Sequence, residues 1–290
     1  MRTRKANQQA WLWLAVILLA PTSFARLMAA ELKPATEAAF DRYVAAVEQG
    51  LTDRIEGREP FLVVDGSPEE IGRARSGEVV VERLREIKGF DVPDGLIHDW
   101  VGTAFIARTA DQILAIQRDY EHHSEIYPEV KASKLLENNG NDLIGYLRIE
   151  KHQVITVVLD TVSAVHYEKL PGGRRFVRSR STRINQVEDA GTSKETLLPV
   201  GRDGGYLWRL NAYWLLEPVD GGTLVECRAV TLTRGIPFLV SWIVKPFVTR
   251  VPRESLTQTL TATRDAVLRA FPFPDPPAAS GAVTPEAPGS

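Results

Sequence analysis

Few residues in this chain have the type and spacing to do chemistry. His122 and His123 stand together in Glu121-His122-His123-Ser124-Glu125, a run that could offer a metal ligand or an acid–base group. Neighbours on a helix point roughly 100° apart, so the two do not readily share one metal, and a solvated helix end explains the same run. His98, His152 and His166 are scattered over separate segments with no ligand spacing. Arg174, Arg175, Arg178, Arg180 and Arg183 make one strand strongly basic, with Arg178 and Arg180 on one face and Arg183 of opposite parity. Either that face is solvated, or one arginine enters a cavity and pairs with Asp160 or with an acidic headgroup, because a buried guanidinium needs a partner. Cys227 follows Glu226 on an apolar strand with no base to activate it, which reads as core packing rather than a nucleophile. The sequence has no Gly-x-Ser-x-Gly elbow, phosphate loop, dinucleotide fingerprint or His-Glu-x-x-His. No catalytic residue, metal or cofactor is therefore assigned.

The elements that would hold these residues are legible from periodicity and turn signals. Residues 31–56 read as a helix, with Ala38, Ala39, Tyr43, Ala46, Val47 and Leu51 at helical spacing and Pro34 near its start. Glu56 to Ser76 reads as loop, with a short strand at Phe61 to Val64, and Glu78 to Ile87 as a further strand or an irregular preface. Leu96 to Ile106 is a strand. Thr109 and Gln112 have capping-box spacing, with Ile113, Ile116 and Tyr120 on the face that follows. A second short helix ends before Pro128. Six strands follow: Val130–Glu137, Asp142–Lys151, Val154–Glu168, Arg174–Val187, Tyr206–Glu217 and Thr223–Thr233. Asn138-Asn139-Gly140-Asn141, Pro171-Gly172-Gly173 and Asp220-Gly221 supply turns, and Glu188 to Gly205 is a long polar loop. From Pro237 to Ala270 the chain is mostly helical, with a kinked or broken first part expected at Pro246 and Pro252 and an inward stripe of Leu256, Leu260, Thr263 and Val267 in the second.

The 290 residues suffice for one core, and 35 basic against 37 acidic residues exclude the basic face of a nucleic-acid binder. Residues 1–30 look like a secretory signal: Arg2, Arg4 and Lys5, an apolar run from Trp11 to Ala20, Pro21, then small residues. Cleavage after Ala25 and after Ala30 are both compatible, and an uncleaved anchor fits the same run. Export, with a bacterial periplasm as the natural compartment, is the expectation; the mature chain would be mildly acidic. A single cysteine allows no intramolecular disulfide. Residues 271–290, rich in Pro, Ala and Gly, read as a disordered tail.

Strand, two short helices, six strands and a long helix form an α+β order in which the last helix must cover the sheet. On that order, on Asp119-Tyr120…Ile126-Tyr127-Pro128-Glu129-Val130 and on Gly235-Ile236-Pro237…Pro252, residues 96–270 resemble the START and birch-pollen-allergen-like helix-grip superfamily, in the branch with coenzyme Q-binding and polyketide cyclase proteins. The resemblance implies a curved seven-stranded antiparallel sheet gripping the C-terminal helix; residues 31–95 lie outside it. A two-residue Asp220-Gly221 turn pairs residues whose numbers sum to 441. One face then carries Trp208, Leu210, Ala212, Trp214 and Leu216 beside Val225, Cys227, Ala229 and Thr231, and should face the helix. The other face, with Arg209, Asn211, Tyr213, Glu217, Glu226 and Arg228, is mixed and charged. Large residues over small ones give either a packed core or a cavity, and the superfamily typically encloses a cavity. Trp208, Leu210, Ala212, Trp214, Cys227, Ala229, Thr231, Tyr127, Leu256 and Leu260 are the candidate ligand-binding residues.

Three functions fit. The first is an exported carrier of a lipid, quinone or sterol-like molecule, with transient membrane contact compatible with such a role. The second is a cyclase or hydrolase using the cavity, which would need His122 or His123 paired with Asp160 or Glu150. The third is an interaction module docking a protein through residues 31–95 or the loop 188–205.

Overall fold

The computed structural model describes residues 30–84, 91–152, 155–235 and 241–272, and for 241–249 the backbone only. The expected signal segment up to residue 29, most of the tail, and Ile236-Pro237 lie outside the described residues. In chain order the elements are β1 (Ala30–Glu31), α1 (Pro34–Ile55), a 3-10 turn (Val63–Gly66), α2 (Pro68–Arg75), β2 (Val80–Arg83), β3 (Gly95–Ile106), α3 (Ala110–Arg118), a 3-10 turn (Tyr120–His122) and α4 (His123–Ile126). They continue with β4 (Val130–Asn139), β5 (Asp142–His152), β6 (Thr156–Lys169), a 3-10 turn (Pro171–Gly173), β7 (Arg175–Glu188), β8 (Thr196–Leu197), β9 (Arg202–Asp203), β10 (Arg209–Val219), β11 (Gly222–Arg234) and α5 (Ser241–Ala270).

One antiparallel sheet dominates, in the order β2-β3-β11-β10-β7-β6-β5-β4, with β8 added beside β7. All seven expected strands are in it, lengthened by β2 at one edge and by β8. β10 and β11 pair with the register fixed by Asp220-Gly221, from Arg209 opposite Leu232 to Val219 opposite Gly222. Gly221 has φ +80°, the left-handed conformation that such a turn needs. The capping box of α3 is formed: Gln112 N donates to Thr109 Oγ1 at 3.3 Å, and Thr109 N to Gln112 Oε1 at 3.0 Å.

Two cores lie on opposite faces of the sheet. On the concave face α3 and the second half of α5 pack through Ile113, Leu256, Leu260 and Val267 onto Ala104, Ile106, Val177, Leu216 and Val225. Two glycines permit this approach. A Cβ on Gly102 of β3 would stand 2.8 Å from Leu260 and 3.0 Å from Leu256, and one on Gly145 of β5 would run into the Tyr120 ring. On the convex face α1, with Phe40, Tyr43, Val44, Val47 and Leu51 at helical spacing, packs onto Tyr213, Leu215, Val230 and Leu232.

The structure corrects several expectations. Residues 56–76 are not a loop with a strand at Phe61–Val64: they hold a 3-10 turn and α2. The Ser67 hydroxyl caps α2 by accepting from Glu70 N, Pro68 opens its first turn, and Glu69 and Glu70 complement the helix dipole. α5 runs through Pro246 and Pro252 without a break; each proline removes one backbone donor, a local cost that the rest of a long packed helix offsets. A bulge between Val162 and Ser163 puts Ser181 opposite Ser163 and Arg183 opposite Val162. The extra residue reverses the parity, so Arg183 shares the convex face with Arg178 and Arg180.

Candidate functional site

The mixed face of β10 and β11 is buried beneath α1, and its charges are paired there. Arg228 makes a two-pronged pair with Asp99 of β3, Nε to Oδ1 at 2.8 Å and Nη2 to Oδ2 at 2.5 Å, and the Tyr43 hydroxyl donates to Oδ2 at 2.8 Å. Glu226 has no exposed surface; Arg54 Nη2 meets it at 2.7 Å and Val63 N donates to it at 2.6 Å. Burial pushes the Glu226 carboxyl up from the usual range while Arg54 pulls it back. Glu48 accepts from the Tyr213 hydroxyl and from Arg180 Nε, at 2.9 and 2.8 Å. These groups tie the N-terminal segment to the sheet.

The concave face differs between its two halves. Toward Leu143, Val165, Val177, Leu216 and Val225 it is sealed by α3 and by Leu256, Leu260 and Val267 of α5. Toward the other end of the strands its central row stays half-buried: Leu210, Ala212 and Trp214 on β10, and Ala229 and Thr231 on β11. Ala212 is directly opposite Ala229, and Leu210 opposite Thr231. Across β7 and β6 the same face continues through Ser179, opposite Ala212, and Ser163, both half-buried. Among the described residues, the centre of the largest sheet thus keeps a half-buried row of small side chains, Ser163, Ser179, Ala212 and Ala229, beside Trp214 and Leu210.

Most of the candidate ligand residues gather around this basin. Trp214, Cys227, Leu256 and Leu260 belong to the concave core, with Cys227 buried at the boundary between the sealed and open halves. Burial pushes the Cys227 thiol up, away from a reactive thiolate. Tyr127 reaches in from the end of α4, its hydroxyl 3.2 Å from that of Thr263 and pushed up to about 12 by burial. Trp208 is the exception. It precedes β10, lies in the convex core, and its Nε1 donates to Asp203 Oδ1 at 3.1 Å. Pleat alternation governs side-chain direction only inside the ladder, which begins at Arg209. Ser179 and Trp100 join the row through the registers of β7 with β10 and of β3 with β11, neither of which a local turn fixes, and Ser163 through that of β6 with β7.

None of the proposed acid–base pairs forms. His122 is exposed, with Nδ1 2.8 Å from Asp119, whereas His123 is buried between Tyr120 and Tyr127 with Nε2 3.3 Å from the Ile116 carbonyl. Asp160 is on the convex side, bound by Arg148 at 2.7 Å and by the Tyr146 hydroxyl at 2.9 Å, and not by the arginines of β7. Glu150 is held by His152 at 2.7 Å. Arg174 pairs with Glu217 and Arg175 with Asp111, so neither points a free charge into the basin.

The order of elements, an antiparallel sheet over a C-terminal helix with two short helices after the first long strand, is the helix-grip order that the resemblance implies. No protein-family model matches the chain, and no curated protein does. Among solved structures it is similar to a STAR-related lipid transfer protein fragment from Xanthomonas axonopodis, at 21% identity and TM-score 0.45, covering 64% of this chain and 98% of that one. It is similar to the ZhuI aromatase/cyclase of a Streptomyces species, at 13% identity and TM-score 0.45, over 61% and 98% of the two chains. A START superfamily protein from Mycobacterium smegmatis aligns at 16% identity and TM-score 0.42, over 60% and 99%.

Proposed function

We propose that this protein binds an apolar small molecule in the concave basin and carries it through an aqueous compartment. The observation that supports this reading is the half-buried row at Leu210, Ala212, Trp214, Ala229 and Thr231, in the middle of a sheet whose opposite face is covered by α1 at β10 and β11. Apolar surface left open at the centre of a fold is a place for a ligand, and each methylene moved there from water contributes about 0.8 kcal/mol. The protein purified from its native compartment is expected to carry an apolar molecule detectable by native mass spectrometry. Ala229→Trp, which puts an indole into the basin opposite Ala212, is expected to empty it while leaving the unfolding transition near that of the parent. A clean apo mass together with no thermal shift from a panel of lipids and quinones would refute the carrier reading.

We also propose export, with removal of the signal after Ala25 rather than after Ala30. Ala30 is opposite Asp203 in the two-residue β1–β9 ladder, and Leu32 N donates to the Gly201 carbonyl at 2.7 Å. Cleavage after Ala30 would discard half of that ladder. The intact mass of the exported protein should begin at Arg26. A full-length mass in the membrane fraction would instead establish the uncleaved anchor.

A further inference from the structure

The basin's chemistry narrows its ligand, an inference that rests on the carrier reading above. The three hydroxyls on its floor, Ser163, Ser179 and Thr231, make no hydrogen bond among the described residues, and all three side chains are half-buried. Among the described residues, the basic and imidazole groups nearest the floor on the same face are engaged or uncharged. Lys151, at the rim, is held by Glu129 and by Ser255 of α5 at 2.7 Å, and Ser255 also donates to Glu129 at 3.2 Å. Arg175 belongs to Asp111 beyond the sealed end. Arg83, opposite Trp100, has an interaction of its own. His98 is opposite Thr231, with Nε2 3.2 Å from the Thr233 hydroxyl, and burial lowers its pKa to about 4, so it is uncharged at neutral pH. Arg178, Arg180 and Arg183 of β7 and the strong charges of β10 and β11 lie on the far side of the sheet. An anionic headgroup brought onto this floor would meet hydroxyls and, among the described residues, no free cation, and a charge taken from water without a counter-charge is costly.

We propose that the basin selects an uncharged apolar molecule bearing a hydroxyl or carbonyl group, which the hydroxyls of Ser163, Ser179 and Thr231 bind, and that it rejects lipids with an anionic head. A polar atom meeting one or two of these hydroxyls fixes the ligand's depth, while the chain lies against Trp214, Leu210 and Leu147.

The test uses the full-length mature protein and a neutral fluorescent dye, N-phenylnaphthylamine, displaced by decanol or by decanoate at about pH 8, where the acid is ionised. Decanol is expected to displace the dye at a concentration at least about tenfold lower than decanoate. In the Ser163→Ala/Ser179→Ala double variant, decanol should weaken about five- to tenfold while the affinity for the dye stays unchanged. Decanoate binding as well as decanol overturns the proposal and leaves the carrier reading standing. A double variant that binds decanol as the parent does, or that loses the dye to the same extent, overturns the assignment of the hydroxyls. Failure of the parent protein to bind the dye, decanol or decanoate refutes the basin itself, and the carrier reading with it.

Discussion

Asp99→Ala is expected to cost about 3–5 kcal/mol of folding stability, read as a lowered urea midpoint with an unchanged slope. Asp99 is 3% exposed and answers two groups at once, the Arg228 guanidinium through both oxygens and the Tyr43 hydroxyl. Removing it leaves a mostly buried guanidinium without its counter-charge between the sheet and α1, and takes one hydrogen bond from the buried Tyr43 phenol. A buried pair can be nearly neutral in sum and still be costly to break, because the survivor keeps the whole desolvation penalty. In a chain of this size the same loss lowers the melting temperature on the order of 10 °C. Lys33→Ala, which breaks the exposed pair with Asp94 at 2.7 Å, should leave the transition where it is. Equal effects from the two substitutions would mean that the Arg228–Asp99 pair is solvated and that α1 does not seal the convex face.

How far the sequence reveals this arrangement depends on how local each signal is. The Asp220-Gly221 turn fixes a register, and parity then puts Trp214, Leu216, Val225 and Cys227 on the helix side, where they are found. The Thr109–Gln112 box is as local and as legible. The convex cover was not. Nothing local marks Glu48 and Arg54 on α1 as partners of the mixed, charged strand face that holds Glu226 and Tyr213. Only their meeting across 132 to 172 residues makes both faces interior, and no local pattern encodes it. Arg183 fails for a related reason: a bulge adds one residue to β7 without a composition signal, and every side chain beyond it changes face. The open half of the basin is the least local feature, since it depends on where the packed half of α5 ends relative to Ala212 and Ala229. The sequence could say that large residues stand over small ones there, but not whether they fill the space.

Deletion of residues 34–75 is expected to abolish cooperative unfolding and soluble expression of the remaining sheet-and-helix unit. Phe40, Tyr43, Val47, Leu51, Leu62 and Val64 are each at most 2% exposed, all against one sheet face. At roughly 1.5–3 kcal/mol for each buried side chain, the segment contributes on the order of 10 kcal/mol, comparable to the whole stability of an ordinary domain. Its loss also uncovers Tyr213, Leu215, Val230 and Leu232 as one contiguous patch, the kind of surface that drives aggregation. On that expectation the helix-grip unit of this chain does not fold by itself. In α1 it has a second grip on the opposite face, and the two cores share β3, β10 and β11. That sharing matters for the basin, because strands held rigidly from behind keep the unfilled floor at Ala212 and Ala229 from collapsing when it is empty. A soluble truncated protein with a sharp transition and undiminished dye binding would show the reverse: that the segment is an independent module free to dock elsewhere.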